Sequence, residues 1–210
     1  MNNATWTEER IQPGVALALL ESLRAADTPT EHLQDEDVHQ SLPRRLGLSA
    51  VVESQMHRYA ALMRESGSLP AREVAELFRL VSRRPDARAV FTDTGRRLAV
   101  TDYSGRGHGM RPLARRLPSR LRCRLGLRSV YRIAKQLTPD GTVRVQVRPP
   151  GLIVTGGLLA RVCRSDAGCQ LLNAAFETSL EAFGAERGSI DHPECEGRGD
   201  RQCVWRPLPS

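Results

Sequence analysis

Aromatic residues are scarce in this 210-residue chain, 4% of the total, and its most basic stretch holds only one, Tyr131. Such a stretch offers no stacking platform for RNA or a single strand. Lysine is nearly absent: of 31 basic residues only Lys135 is a lysine. No apolar run approaches the length of a membrane span. Val15 to Leu20, the first such run, is short and lies inside an amphipathic stretch. Met1 to Glu9 carries two glutamates and no basic-then-apolar signal pattern. There is no glycine fingerprint for a dinucleotide: Gly105-Arg106-Gly107-His108-Gly109 follows a predicted helix and lacks the last glycine. There is no iron–sulfur cysteine run either. These absences lead us to expect a cytoplasmic protein, free or peripheral to a membrane surface.

What is present suits a folded chain. Hydrophobic residues make up 40% and charged residues 26%, which excludes a disordered polymer. The charge is concentrated. From Ser104 to Pro139 there is no acid, yet Arg106, Arg111, Arg115, Arg116, Arg120, Arg122, Arg124, Arg128, Arg132 and Lys135 all fall there. Those cations exceed the whole net charge of +7. Such a field attracts an anion: an acidic lipid face, an acidic partner, a carboxylate ligand or nucleic acid. A solvated helix face is the plainer account of most of them. Binding of duplex DNA through this basic segment ranks last among the readings.

The periodicity changes midway. Pro13 to Ala26 reads as a helix, with Pro at its opening turn and Val15, Leu19, Leu20 and Leu23 on one stripe. Asp27 to Gln40 reads as a loop. Ser49 caps a second helix to about Glu65, closed by Gly67. Ser68 is expected to cap a third, with Val74, Leu77, Phe78 and Val81 inward. A fourth runs from Pro85 to about Tyr103, and Gly95 within it signals close packing or a kink. Ser104 to Met110 is a glycine-rich connector, and Pro112 to Leu137 an arginine-rich helical segment. After the Asp140-Gly141 turn, Val143, Val145 and Val147 alternate with polar residues as a half-buried strand. Leu152 to Val154, Leu158 to Val162, Glu186 to Asp191 and Gln202 to Trp205 are further strand candidates, and Gly168 to Phe183 is a helix. The class is therefore α+β: a helical N-terminal half, then a small antiparallel sheet with packed helices. A flexible tail over 1–10, a helical part over 11–111 and a ligand- and metal-binding part over 112–207 are expected to share one compact domain.

Of five cysteines, Cys123 and Cys163 fit small buried hydrophobes. Cys169 opens a predicted helix. His192 and Cys195 are three apart, and a polar, glycine-bearing turn folds Cys203 back towards them. Three thiols and one imidazole make a valid tetrahedral zinc set, and four protein ligands would make that zinc structural. The spacing alone leaves buried free thiols and redox chemistry open, because C-x7-C lacks the tight C-x2-C knuckle. Arg161, Arg164 and Arg201 would offset part of the thiolate charge.

The pattern of Cys169 leading a helix, then His192-x2-Cys195-x7-Cys203 followed by an aromatic, resembles the 4-vinyl reductase domain. Upstream, Ile11-Gln12-Pro13, the Glu73 to Val81 helix, the Gly95 helix and Leu117-Pro118 follow the layout of its stand-alone bacteriochlorophyll-biosynthesis members. The family includes sensor domains of phenol- and xylene-responsive activators, and is similar in fold to a vesicle-tethering component. The resemblance implies zinc on Cys169, Cys195 and Cys203, with His192 where the family has glutamate and Glu194 as the alternative fourth ligand. It implies a vinyl-bearing tetrapyrrole such as protochlorophyllide or chlorophyllide as ligand. Arg115, Arg116, Arg128 and Tyr131 are the candidate contacts, since arginine pairs with a propionate in a forked geometry. Vinyl reduction needs a hydride or electron source, so a pigment carrier or auxiliary subunit suits the chain better than a self-sufficient reductase. The alternative is a stand-alone sensor of a hydrophobic or aromatic effector. Expected partners are that small molecule, other pigment-biosynthesis enzymes and a second copy in a homodimer.

Overall fold

The computed structural model describes residues 9–28, 49–104, 117–163, 166–184 and 189–208. Its N-terminal half is helical because its apolar residues recur at helical spacing. Helix α1 (Pro13–Asp27) starts on Pro13 and buries Val15, Ala16, Leu19, Leu20 and Leu23. Burial on so many sides makes it a central helix. Ser49 caps α2 (Ala50–Arg64) as its position predicts, its Oγ accepting from the Val52 amide at 3.3 Å. That helix buries only Val52 and Tyr59, and the Tyr59 hydroxyl donates to Glu73 Oε1 at 2.7 Å.

Two expectations for this half need correction. Ser68 does not cap the third helix; its Oγ instead accepts from Arg10. The chain there forms a two-residue strand, β2 (Leu69–Pro70), antiparallel to β1 (Arg10–Ile11), and α3 (Ala71–Ser82) follows with Pro70 at its N-cap. A two-residue pairing is too short to leave a period in the sequence. The fourth helix, α4 (Ala87–Ser104), begins two residues later than Pro85. Phe78 of α3 and Phe91 of α4 stack at 5.6 Å between centroids.

Helix α5 (Ser119–Gln136) carries the arginine-rich sequence, with Gly126, Leu127, Val130, Ile133 and Ala134 buried. Asp102 at the end of α4 receives Ser129 Oγ and the Arg132 guanidinium. The loop expected over 27–40 and the glycine-rich connector lie almost wholly outside the described residues, as does the expected flexible tail apart from Glu9 and Arg10.

Beyond α5 the period becomes that of strands. Strands β3 (Thr142–Val147) and β4 (Pro150–Thr155) form a hairpin, and β5 (Ile190–Glu194) pairs with β6 (Cys203–Pro207). The four make one antiparallel sheet in the order β3-β4-β6-β5. Between the two inner strands, Leu152 faces Trp205 and Val154 faces Cys203. Leu158 to Val162 is not a strand but a short helix, α6. Gly156, at φ +71°, turns the chain out of β4, and Leu158, Leu159 and Val162 then bury one face of a helical turn. Strand β5 starts at Ile190, later than expected, and runs through His192 and Pro193. Proline is tolerated there because β5 is an edge strand.

Helix α7 (Cys169–Ala182) joins the two halves by packing closely against α4. Gly95 makes this approach feasible: a Cβ there would sit 2.0 Å from the Leu171 carbonyl oxygen. The glycine serves close packing, one of the two roles its position suggested. The result is a mixed α+β fold with one connected apolar core running from Ile11 to Trp205. No helix among the described residues is long and apolar enough to cross a membrane.

Candidate metal centre

Three elements bring the candidate ligands together. Cys169 is the first residue of α7, His192 lies in β5, Cys195 follows that strand directly, and Cys203 opens β6. Their donor atoms all lie within 4.8 Å of one another. Cys169 Sγ is 3.6 Å from Cys195 Sγ and 4.0 Å from Cys203 Sγ. The three cysteines are buried and His192 is half-buried. This cluster could hold a metal ion.

The surrounding backbone is shaped to present these side chains. Pairing shifts register between Asp191 and Glu194, so β5 is irregular around His192. The imidazole stacks on Trp205 at 4.5 Å with the rings 9° from parallel. Its Nε2 is buried and has no hydrogen-bond partner among the described residues. A buried ring nitrogen left unsatisfied beside a cluster of thiols is compatible with a metal ligand. After Cys195 the chain makes a 3-10 turn, Glu196–Arg198, closed by Gly199 at φ 102°. A side chain at that position would be strained, so glycine belongs there. The turn aims amides at sulfur: the Glu196 N–H reaches Cys203 Sγ at 3.3 Å, and the Gly197 and Arg198 amides face Cys195 Sγ.

A second ring of contacts fixes the turn. Asp200 Oδ2 accepts from the Cys195 amide at 2.7 Å. Arg198 donates to the carbonyls of His192 and Pro193 at 2.7 and 3.0 Å. The Glu196 carboxylate accepts from the Gly156 amide at 2.9 Å, tying the turn to the end of β4. Glu194 is not part of the cluster; its Oε2 accepts from Gln202 at 2.9 Å. The choice between His192 and Glu194 therefore falls to the histidine.

The electrostatics divide the cysteines. The Cys203 thiol is held down at about 5, first by the hydrogen bond from Cys169, then by His192 and the Glu196 amide. Cys169 is pushed up, because it donates to Cys203 while buried beside two other sulfurs. Cys195 is raised by burial. Cys163 stands apart, pushed up to about 12 by burial alone, and burial also raises Cys123. Both behave as apolar filling.

The expected charge offset is only partly present. Arg161 lies within 4.0 Å of both Glu9 and Asp140. It also acts electrostatically on Glu196. Arg201 is exposed, and Arg164 lies outside the described residues. Arg198, Glu196, Asp200 and Trp205 are the supporting residues that sequence reasoning missed. Trp205 was legible: it is two residues from Cys203 on a strand, hence on the same face.

The ligand candidates fare unevenly. Arg115 and Arg116 lie outside the described residues. Arg128 and Tyr131 meet on α5, where with Arg124, Leu127, Val145 and Val147 they line an open recess of about 230 Å³ against β3. A larger groove, about 610 Å³, lies among α1, α4 and α5. Its carboxylates are engaged, Glu21 with Arg97 and Asp102 with Arg132.

No family model, curated protein or solved structure matches the chain.

Proposed function

We propose that Cys169, His192, Cys195 and Cys203 bind one structural zinc, which locks a small-molecule-binding domain of the 4-vinyl reductase type. The observation that carries this reading is the convergence of three sulfurs and an imidazole nitrogen within 4.8 Å. Zinc–sulfur bonds of about 2.3 Å at tetrahedral angles space the sulfurs about 3.8 Å apart. The distances of 3.6 and 4.0 Å straddle that value. Soft thiolates with one imidazole favour zinc over oxygen-seeking cations. Four protein donors fill the shell, so the ion holds β5, β6 and α7 together and leaves no open position for substrate. Metal analysis of the native protein is expected to find about one zinc per chain; finding none would remove the site.

On this reading the ligand is a vinyl-bearing tetrapyrrole of bacteriochlorophyll biosynthesis, and the protein serves as its carrier or as an auxiliary subunit to a reductase. Arg128 would meet a propionate, while Leu127, Tyr131 and Val145 offer the apolar wall for one edge of the macrocycle. The size of that recess, about 230 Å³, favours a second reading, a sensor of a single-ring aromatic effector. Titration separates the two. If the pigment is the ligand, protochlorophyllide should shift its visible spectrum on binding and phenols should displace it poorly; saturable phenol binding without pigment binding would select the sensor. NADPH and divinyl pigment added to the isolated protein are expected to give no turnover, and efficient reduction without a partner would overturn the carrier reading.

A further inference from the structure

The arginines of this protein fall into two groups. On the other helices Arg58 pairs with Glu73, Arg79 with Glu76, Arg88 with Asp166, and Arg97 with Asp93 and Glu21, and in the turn before α4 Arg84 pairs with Asp27 and Asp86; Arg24, Arg64, Arg72 and Arg96 form no ion pair among the described residues. On α5 the pattern reverses. Arg120, Arg124, Arg128 and Lys135 are exposed and form no ion pair among the described residues. Arg124, Arg128 and Lys135 follow one another at steps of four and seven, so they share one face of the helix. Leu121 and Tyr131 fall in the same stripe, 43% and 36% exposed, and Val147 of the neighbouring edge strand is 45% exposed. Three of the large exposed apolar side chains thus sit among cations that lack acids. Solvation alone explains the arginines but not the leucine, tyrosine and valine between them.

We infer that the outward face of α5, with the adjoining edge of β3, docks the protein on an anionic membrane surface. Guanidinium and ammonium groups pair with lipid phosphates, while Leu121, Tyr131 and Val147 enter the boundary between headgroups and acyl chains. Charge complementarity selects the partner's sign, and the interleaved aliphatic residues select lipid over nucleic acid, whose phosphates give leucine and valine nothing to contact. A second copy of the same cationic face is disfavoured by like charge. The inference uses none of the metal ligands, and it shares Arg128 and Tyr131 with the recess proposed for the small-molecule ligand. It places the α5–β3 recess at the lipid boundary, where a lipophilic molecule could pass without crossing water.

The test is flotation of the full chain with vesicles of phosphatidylcholine alone or mixed with phosphatidylglycerol. Binding is expected only to the mixed vesicles, and it should weaken as salt is raised. The R124Q/R128Q variant should bind about thirtyfold more weakly. R72Q/R83Q removes the same charge from exposed positions on and beside α3 and should change binding less than about threefold. L121S/Y131S keeps the charge and should still lose most of the binding. Melting curves close to that of the parent protein would show that these exposed substitutions leave the fold intact. Absence of vesicle binding, equal loss in the α3 control, or retention on polyglutamate or duplex DNA as tight as on vesicles would each overturn the inference.

Discussion

Cys203→Ala will lower the thermal midpoint by about 10 °C or more, whereas Cys123→Ser will move it by no more than about 3 °C. Both residues are cysteines, so the contrast isolates what surrounds them. Cys203 is 2% exposed, opens a central strand and stands within 4.0 Å of Cys169. Its loss removes one of the four donors of the proposed metal site and leaves the Glu196 amide without its sulfur. A structural metal ties its stability directly to the folded state, and several kcal/mol vanish when the ligand set is broken. In a domain of this size each kcal/mol is worth about 2–4 °C. Cys123 is half-buried on α5 and is not part of the cluster. On the proposed zinc reading, a chelator added to the parent protein should reproduce most of the Cys203 effect, and should change Cys203→Ala itself far less. Equal shifts for the two cysteine variants, followed by calorimetry, would contradict the ligand set.

Gly95→Ala is expected to destabilise by about 3 kcal/mol, even though alanine is the better helix former by about 1 kcal/mol. The reason is steric. The new Cβ would lie 2.0 Å from the Leu171 carbonyl oxygen and 3.0 Å from the Ala175 amide nitrogen. Both are backbone atoms of a helix, so neither can rotate away; α4 and α7 must separate along their crossing. Gly14→Ala supplies the comparison. There the new Cβ meets only the flexible end of Met63, at 3.5 Å, so the helix preference prevails and the protein should gain up to about 1 kcal/mol. Denaturant melts of the two variants measure the difference, and a neutral Gly95→Ala would mean that the helices are not so closely apposed.

These two sites also mark how far sequence reasoning reached. Helices α1, α3 to α5 and α7 were legible because their buried residues repeat at helical spacing, whereas α2, which buries only Val52 and Tyr59, was announced by the capping chemistry of Ser49. The α+β class followed from the switch to alternation at Val143. Leu158 to Val162 misled because five apolar-rich residues suit a strand or a helical turn equally; only the turn at Gly156 decides it. The four residues of the candidate cluster were named from residue types, spacing and a family resemblance, and the structure brings their donor atoms together. What was not legible were the groups that support it. Asp200, Arg198 and Glu196 act through contacts to amides and carbonyls, and a single sequence carries no mark of which polar side chain will turn back on its own loop. The separation of paired from unpaired arginines was equally hidden, since it depends on which acids other helices bring near.

The order β3-β4-β6-β5 has a kinetic consequence. The sheet is two local hairpins stitched along one seam, and the pairs of that seam, Leu152 with Trp205 and Val154 with Cys203, are remote in sequence. Each hairpin closes its own short connection early, but the seam must wait until α6 and α7 have found their places. Docking of the second hairpin onto the first is thus expected to be the late event in refolding. An ion caught by Cys195 and His192 beforehand would shorten that search by holding β5 and its following turn in the shape that β6 needs.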